Sequence, residues 1–261
     1  MENKALVKGV DRTLGALARA TFRNFIAQPL FALNYKVRIL GAEEALSCTS
    51  GSIVVANHVS FLDGPFLMNN AWPHARIRAT AWHAEYTDWK QWWLMQLFGV
   101  ICLGSPKDPP ESWNRGIANR QELWAAERRR RKDQAASIMN KVLAAGHHLL
   151  LFCEGRIGDG IGVVIPSHLS GVHDLVKEHP DKPVLVVKME GLERSLFGKK
   201  RPRASLLQRI PITITLKRVD NISLDGGPPA LNARLERYFN QGIQLPAAAN
   251  PAVSSSNRGA A

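Results

Sequence analysis

Residues 53–63 read I-V-V-A-N-H-V-S-F-L-D. A short β-branched run, bounded in front by Gly51-Ser52, ends in Asn57-His58, and a carboxylate, Asp63, follows five positions after the histidine. An apolar run without alternation fits a buried strand, so His58 is expected at the carboxyl end of one. In open α/β sheets that edge is where ligands bind. The spacing alone is not selective, because His83 and Asp88 in H-A-E-Y-T-D share it. That second pair lies in a Trp-rich polar stretch with no strand-like run directly ahead of it.

Five residues turn about 140° beyond a full circle of an ideal helix, so His58 and Asp63 cannot share a helix face. They can meet if His58 lies on the loop before a helix and Asp63 in its first turn. The carboxylate then fixes the imidazole tautomer and leaves the other ring nitrogen free to take a proton. Taken alone, a histidine capping a turn, with Asp63 capping backbone N–H groups, is the better reading.

A second element weighs against that plain reading. H-L-L-L-F at 148–152 reads as another buried strand and runs into C-E-G-R-I-G-D-G-I-G. Glu154, Gly155 and Arg156 are therefore expected at the same sheet edge as His58. Gly155 permits a tight turn, and Arg156 offers a planar fork for a pair of phosphate oxygens. Glu154 could orient Arg156 or bind an acceptor hydroxyl. A lone E-G-R is commonly a surface turn; beside N-H-x-x-x-x-D it suggests a base next to a phosphate site.

The rest of the chain supplies further elements. Strands are expected at Y-K-V-R-I-L (35–40), R-I-R-A-T-A-W (76–82), around G-V-I-C-L-G (99–104), P-V-L-V-V-K-M (183–189) and I-P-I-T-I-T-L (210–216). The last alternates like a half-buried or edge strand, with Pro211 tolerable at its start. Helices are expected from Phe61, over about 111–145 and around 228–240. Strands interleaved with helices predict one α/β domain with a mostly parallel central sheet flanked by helices, over residues 34–241. Residues 1–33 are expected to form an amphipathic helical segment that Pro29 ends or kinks. It covers the core, lies in a lipid headgroup layer, or does both with different faces. Residues 242–261 are expected to be a disordered tail.

Composition is that of a globular chain of 261 residues, 45% hydrophobic and 21% charged. Lys and Arg number 34 against 22 acids, a formal +12, which favours an anionic partner: nucleic acid, an anionic membrane surface or an acidic carrier protein. Nucleic acid is the weakest of these, since R-R-R-R-K at 128–132 has no aromatic-flanked binding motif beside it; by default it is a solvated helix face. Trp72, Trp82, Trp89, Trp92 and Trp93 crowd one stretch, which tilts the reading toward membrane or acyl-chain contact, although core packing is the commoner use. Cys48, Cys102 and Cys153 are odd in number and widely spaced, which suggests neither a zinc site nor a disulfide framework. With no bilayer-spanning run and no signal-peptide pattern, the expected location is peripheral, on the cytoplasmic face of a membrane.

Together these residues resemble the lysophospholipid and 1-acyl-glycerol-3-phosphate acyltransferase family. Its first motif, N-H-x-x-x-x-D, is matched by Asn57, His58 and Asp63. Its third, F-P-E-G-[T/R], is matched by Phe152, Glu154, Gly155 and Arg156, with Cys153 in place of proline. The resemblance covers about residues 30–220, and E-G-L-E at 190–193 is closest to 2-acyl-glycerophosphoethanolamine acyltransferase domains. Two features depart from the family. G-V-I-C-L-G lacks the usual second-motif arginine, for which Lys107 is the substitute, and Val186 replaces the fourth-motif proline.

The resemblance implies acyl transfer from acyl-CoA or an acyl carrier protein to the hydroxyl of a lysophospholipid. His58 would be the base and Asp63 its orienting partner. Asn57, Glu154, Gly155, Arg156 and Lys107 would contact substrate. No metal and no cofactor beyond the acyl thioester is implied. Three alternatives compete with it: a degenerate peripheral membrane or acyl-carrier binding protein on the same fold, a nucleic-acid binder, and a thioesterase using water.

Overall fold

The computed structural model describes residues 21, 24–25, 28–70, 77–82, 95, 99–103, 118–158, 160–195 and 209–242. Seven strands form one sheet: β1 (Tyr35–Leu40), β2 (Ile53–Ala56), β3 (Ile77–Trp82), β4 (Ile101–Leu103), β5 (His148–Phe152), β6 (Val184–Glu190) and β7 (Ile210–Val219). Their order is β1-β7-β6-β2-β5-β3-β4. The strands from β6 through β4 run parallel, whereas β7 is antiparallel to β6 and carries β1 parallel to itself. The single α/β domain with a mostly parallel sheet is therefore what the sequence predicts.

The three central strands have no alternation because both of their faces are covered. In β2, Val54 and Ala56 join one core cluster and Ile53 and Val55 the other. The first cluster packs under α1 (Gln28–Asn34), α2 (Ala42–Leu46) and α3 (Asp63–Asn70) through Phe31, Ala45, Phe66 and Leu67. The second packs under α4 (Arg120–Ala144), α5 (Gly171–Glu178) and α6 (Gly227–Gln241) through Leu143, Val176, Leu235 and Phe239. Among the described residues, helices cover both faces of the central strands, and their ends are left uncovered.

One expectation needs correction. Strand β7 alternates as read, but it is an interior strand: β1 pairs along it from Tyr35↔Ile210 to Leu40↔Thr215 and takes the edge position. Pro29 lies in the first turn of the helix Gln28–Asn34, where proline forfeits no intrahelical bond. Helix α5 was not foreseen, although Val172, Leu175 and Val176 are spaced to bury one face. Residues 1–20, the tail from 243, and Trp72, Trp89, Trp92 and Trp93 lie outside the described residues, as does the His83/Asp88 pair.

The arginine run is a helix face, partly absorbed by its own helix. Glu127 pairs with Arg130 and Arg131 at 2.7 Å each, and the Arg131 guanidinium lies 5.2 Å from the ring centre of the buried Trp124.

Phe66 locks α3 to the N-terminal elements, with its ring centre 5.0 Å from that of Phe31 and 5.4 Å from that of Tyr35. Its side chain is fully buried. Phe66→Ala should lower the unfolding free energy by about 3–5 kcal/mol. Chemical denaturation checks this, and a loss under about 1 kcal/mol would mean that the trio is not a packed core.

Candidate active site

The register of β2 with its neighbours sets the site. Ala56 lies opposite Phe152 of β5 and Val187 of β6, so the segments leaving these three strands emerge side by side. The sequence leaving β2 is Asn57-His58, and that leaving β5 is Cys153-Glu154-Gly155-Arg156. Residues nearly a hundred positions apart are thereby brought to one edge.

Asp63 opens α3 and turns its carboxylate back onto the preceding loop. Oδ2 accepts the His58 Nδ1–H at 2.9 Å, the Val59 N–H at 2.6 Å and the Ser60 N–H at 2.9 Å. The capping and tautomer-fixing readings are thus both realised by the same oxygen. With Nδ1 protonated toward Asp63, Nε2 is the free, basic nitrogen. The Asp63 side chain is fully buried while that of His58 is 19% exposed, so the free nitrogen has a route to solvent or substrate. Burial is the main influence on the Asp63 carboxyl and lifts its pKa, opposed by the hydrogen bond and charge of His58 and by the two backbone N–H groups. Oδ1 is buried with no partner among the described residues.

Phe152 stacks on the imidazole, centroids 4.2 Å apart and planes 20° from parallel, which restricts the ring to the plane that reaches Asp63. Glu154 is only 4% exposed, and its Oε1 accepts the His58 backbone N–H at 2.7 Å. The Gly158 N–H returns to the His58 carbonyl at 2.6 Å. A Cβ on Gly158 would lie 2.6 Å from Glu154 Oε2 and 3.2 Å from the His58 carbonyl, so a larger residue there would have to push the Glu154 carboxylate aside. His58 is therefore held at its ring, its amide and its carbonyl.

Residues 36–189 match the acyltransferase family model, a span that contains both motifs. The chain belongs to the acyltransferase family. The comparison with curated proteins gives no match. Among solved structures, 1-acyl-sn-glycerophosphate acyltransferase PlsC from Thermotoga maritima is similar, with a TM-score of 0.52 at 17% identity, over 90% of this chain and 83% of that one. The likeness is one of fold.

Other residues of this acyltransferase that the sequence singles out fall into separate places. Asn57 is buried and its amide is engaged at both ends, donating to the Met189 carbonyl at 2.9 Å and accepting the Met189 N–H at 2.7 Å. It closes the ladder between β2 and β6. Gly155 takes the left-handed conformation expected of it, φ 65°. Arg156 is exposed, with no ion pair among the described residues. Glu154 faces the His58 backbone. Cys153 is buried, its thiol 3.4 Å from the Ala56 carbonyl, and burial pushes its pKa well above the ordinary range. Lys107 lies outside the described residues. No group of three or more His, Cys, Asp or Glu side chains among the described residues is arranged to hold a metal ion.

Sequence reasoning missed the stacking by Phe152, the closure by Gly158, and a link from Ser60 Oγ to Ser195 Oγ at 3.0 Å that ties the His58 turn to the segment after β6. Only the glycine had a visible signal, in the run G-D-G-I-G.

Burial raises the Glu154 pKa to about 6 from 4.5, against the opposing His58 hydrogen bond. The native state then binds this proton more tightly than the unfolded chain. The associated stability is fully present below pH 4.5 and is lost as pH rises toward 6, by at most about 2 kcal/mol. Glu154→Gln keeps an acceptor for the His58 N–H and removes the titration. The stability of the variant relative to wild type should climb between pH 4.5 and 6 and stay level above. Urea denaturation across that range checks this, and a difference independent of pH would refute it.

Proposed function

We propose that this acyltransferase moves a fatty acyl group from acyl-CoA or an acyl carrier protein to the hydroxyl of a lysophospholipid or related glycerophosphate. The observation that carries this reading is the His58 Nδ1–Asp63 Oδ2 contact at 2.9 Å, with the ring partly open to solvent at the strand ends. His58 Nε2 takes the proton of the acceptor hydroxyl as its oxygen attacks the thioester carbonyl. The new C–O bond forms, the C–S bond breaks, and the departing thiolate recovers the proton from the imidazolium. Asp63 steadies the charge that the ring acquires. A positioned base of this kind contributes on the order of 100- to 10,000-fold.

Arg156, exposed beyond the Gly155 turn, is the residue for the acceptor phosphate; its fork suits paired phosphate oxygens. Asn57 and Glu154 act by holding the loop. A buried thiol with a raised pKa is a poor nucleophile, which favours direct transfer over an acyl-Cys153 intermediate. Lys107 takes the place of the missing second-motif arginine.

Residues 34–241 constitute the catalytic domain in this account, with 242–261 a tail. Residues 1–33 associate with an anionic membrane at its cytoplasmic face. Support comes from the +12 charge and from the exposed Phe25, Leu30 and Leu33 at the described end of that segment, 77%, 53% and 68% exposed. No described helix is long and apolar enough to cross a membrane.

Incubation with acyl-CoA or acyl carrier protein and a panel of lysolipids, followed by mass spectrometry, should yield the diacyl product. Arg156→Ala should raise the acceptor KM about tenfold or more with kcat little changed, the scale of a charged hydrogen bond. An unchanged KM would remove Arg156 from that role. Cys153→Ala should keep turnover, and a folded but inactive variant would favour the covalent route. Free fatty acid formed without any lysolipid would point to a thioesterase.

A further inference from the structure

The segment Val163–Ile165 follows the site loop and belongs to no strand of the sheet. Val163 and Ile165 bury their side chains while Val164 is exposed. Their backbone groups are satisfied by helix side chains. Asn240 Oδ1 accepts the Val163 N–H at 2.8 Å and its Nδ2 donates to the Val163 carbonyl at 2.8 Å. Glu236 Oε2 accepts the Ile165 N–H at 3.0 Å. The two residues are one turn apart on α6 and so present one face. At the near end of the same loop, the Glu154 carboxylate accepts the His58 N–H at 2.7 Å. The same loop returns to the His58 carbonyl through Gly158 at 2.6 Å.

We propose that Asn240 and Glu236 are positioning residues for the catalytic histidine: from α6 they hold Val163–Ile165, the far end of the loop whose Glu154 and Gly158 hold the His58 backbone. This rests on His58 acting as the base. Neither side chain need touch substrate. Asn240 provides the acceptor and donor that a neighbouring strand residue would provide, so a helix completes what the sheet does not. Displacing a base by about an ångström can cost on the order of 100-fold, so loosening this chain should lower kcat and spare binding.

The test uses Asn240→Leu, Glu236→Leu and the conservative Glu236→Gln, which keeps an acceptor for Ile165. Asn240 is exposed, so its replacement leaves the core packing untouched. Both leucine variants should lower kcat about tenfold to 100-fold with donor and acceptor KM within about twofold, and Glu236→Gln should restore most of the rate. Hydrogen exchange, which needs no turnover, should accelerate in the peptide covering 57–63 and not in the core strand β6. Unchanged exchange at 57–63 would overturn the proposal, as would acceleration everywhere or an unchanged kcat in an active enzyme. If wild type itself transfers no acyl group, the proposed activity is what fails, and local exchange still decides whether the brace exists.

Discussion

The oxygen Asp63 Oδ2 accepts three N–H groups, from the His58 ring and from Val59 and Ser60, and the loop joining β2 to α3 takes its shape from that convergence. Two of the bonds close the loop; the third points the imidazole. A neutral side chain would bind these donors more weakly, because charge-assisted bonds are about twice as strong as neutral ones. A longer acid would move the oxygen out of the turn. Burial works against the charge and is the larger influence; the three donors and the start of a helix oppose it. Loop shape and ring orientation are thus one interaction, and a change to Asp63 disturbs both.

The sheet supplies the other requirement. Parallel pairing of β2 with β5 and β6 brings strand ends to one edge, and short-range contacts then connect the loops: Glu154 to the His58 amide, Asn57 to Met189, Ser60 to Ser195. Each of these joins segments at least 96 positions apart. The edge is consequently rigid around His58, while Arg156 stands exposed beside it. That division fits a reaction in which the base must be fixed and the acceptor must enter from a surface.

The central strands were readable because I-V-V-A, H-L-L-L-F and V-L-V-V lack alternation, which reports burial on both faces. Periodicity does not report neighbours, so β7 read as half-buried without revealing that β1 covers its side. The His58–Asp63 contact was readable because it is local, five residues along a turn. The roles of Asn57 and Glu154 were not, since each polar side chain meets a backbone group on a distant strand or loop. The motif places Glu154 at the right edge, yet only the fold shows it turned toward the histidine amide. Phe152 read as the last apolar residue of a strand; its ring against the imidazole is a matter of register between β2 and β5.

The most direct test of the account is thiol release from the acyl donor, measured with and without lysophospholipid, for wild type and for His58→Ala. Release that requires the lysolipid in wild type and falls by at least about 100-fold in the folded variant is the predicted result. Lysolipid-dependent release that persists in His58→Ala would contradict a base at this position, however well the dyad is formed.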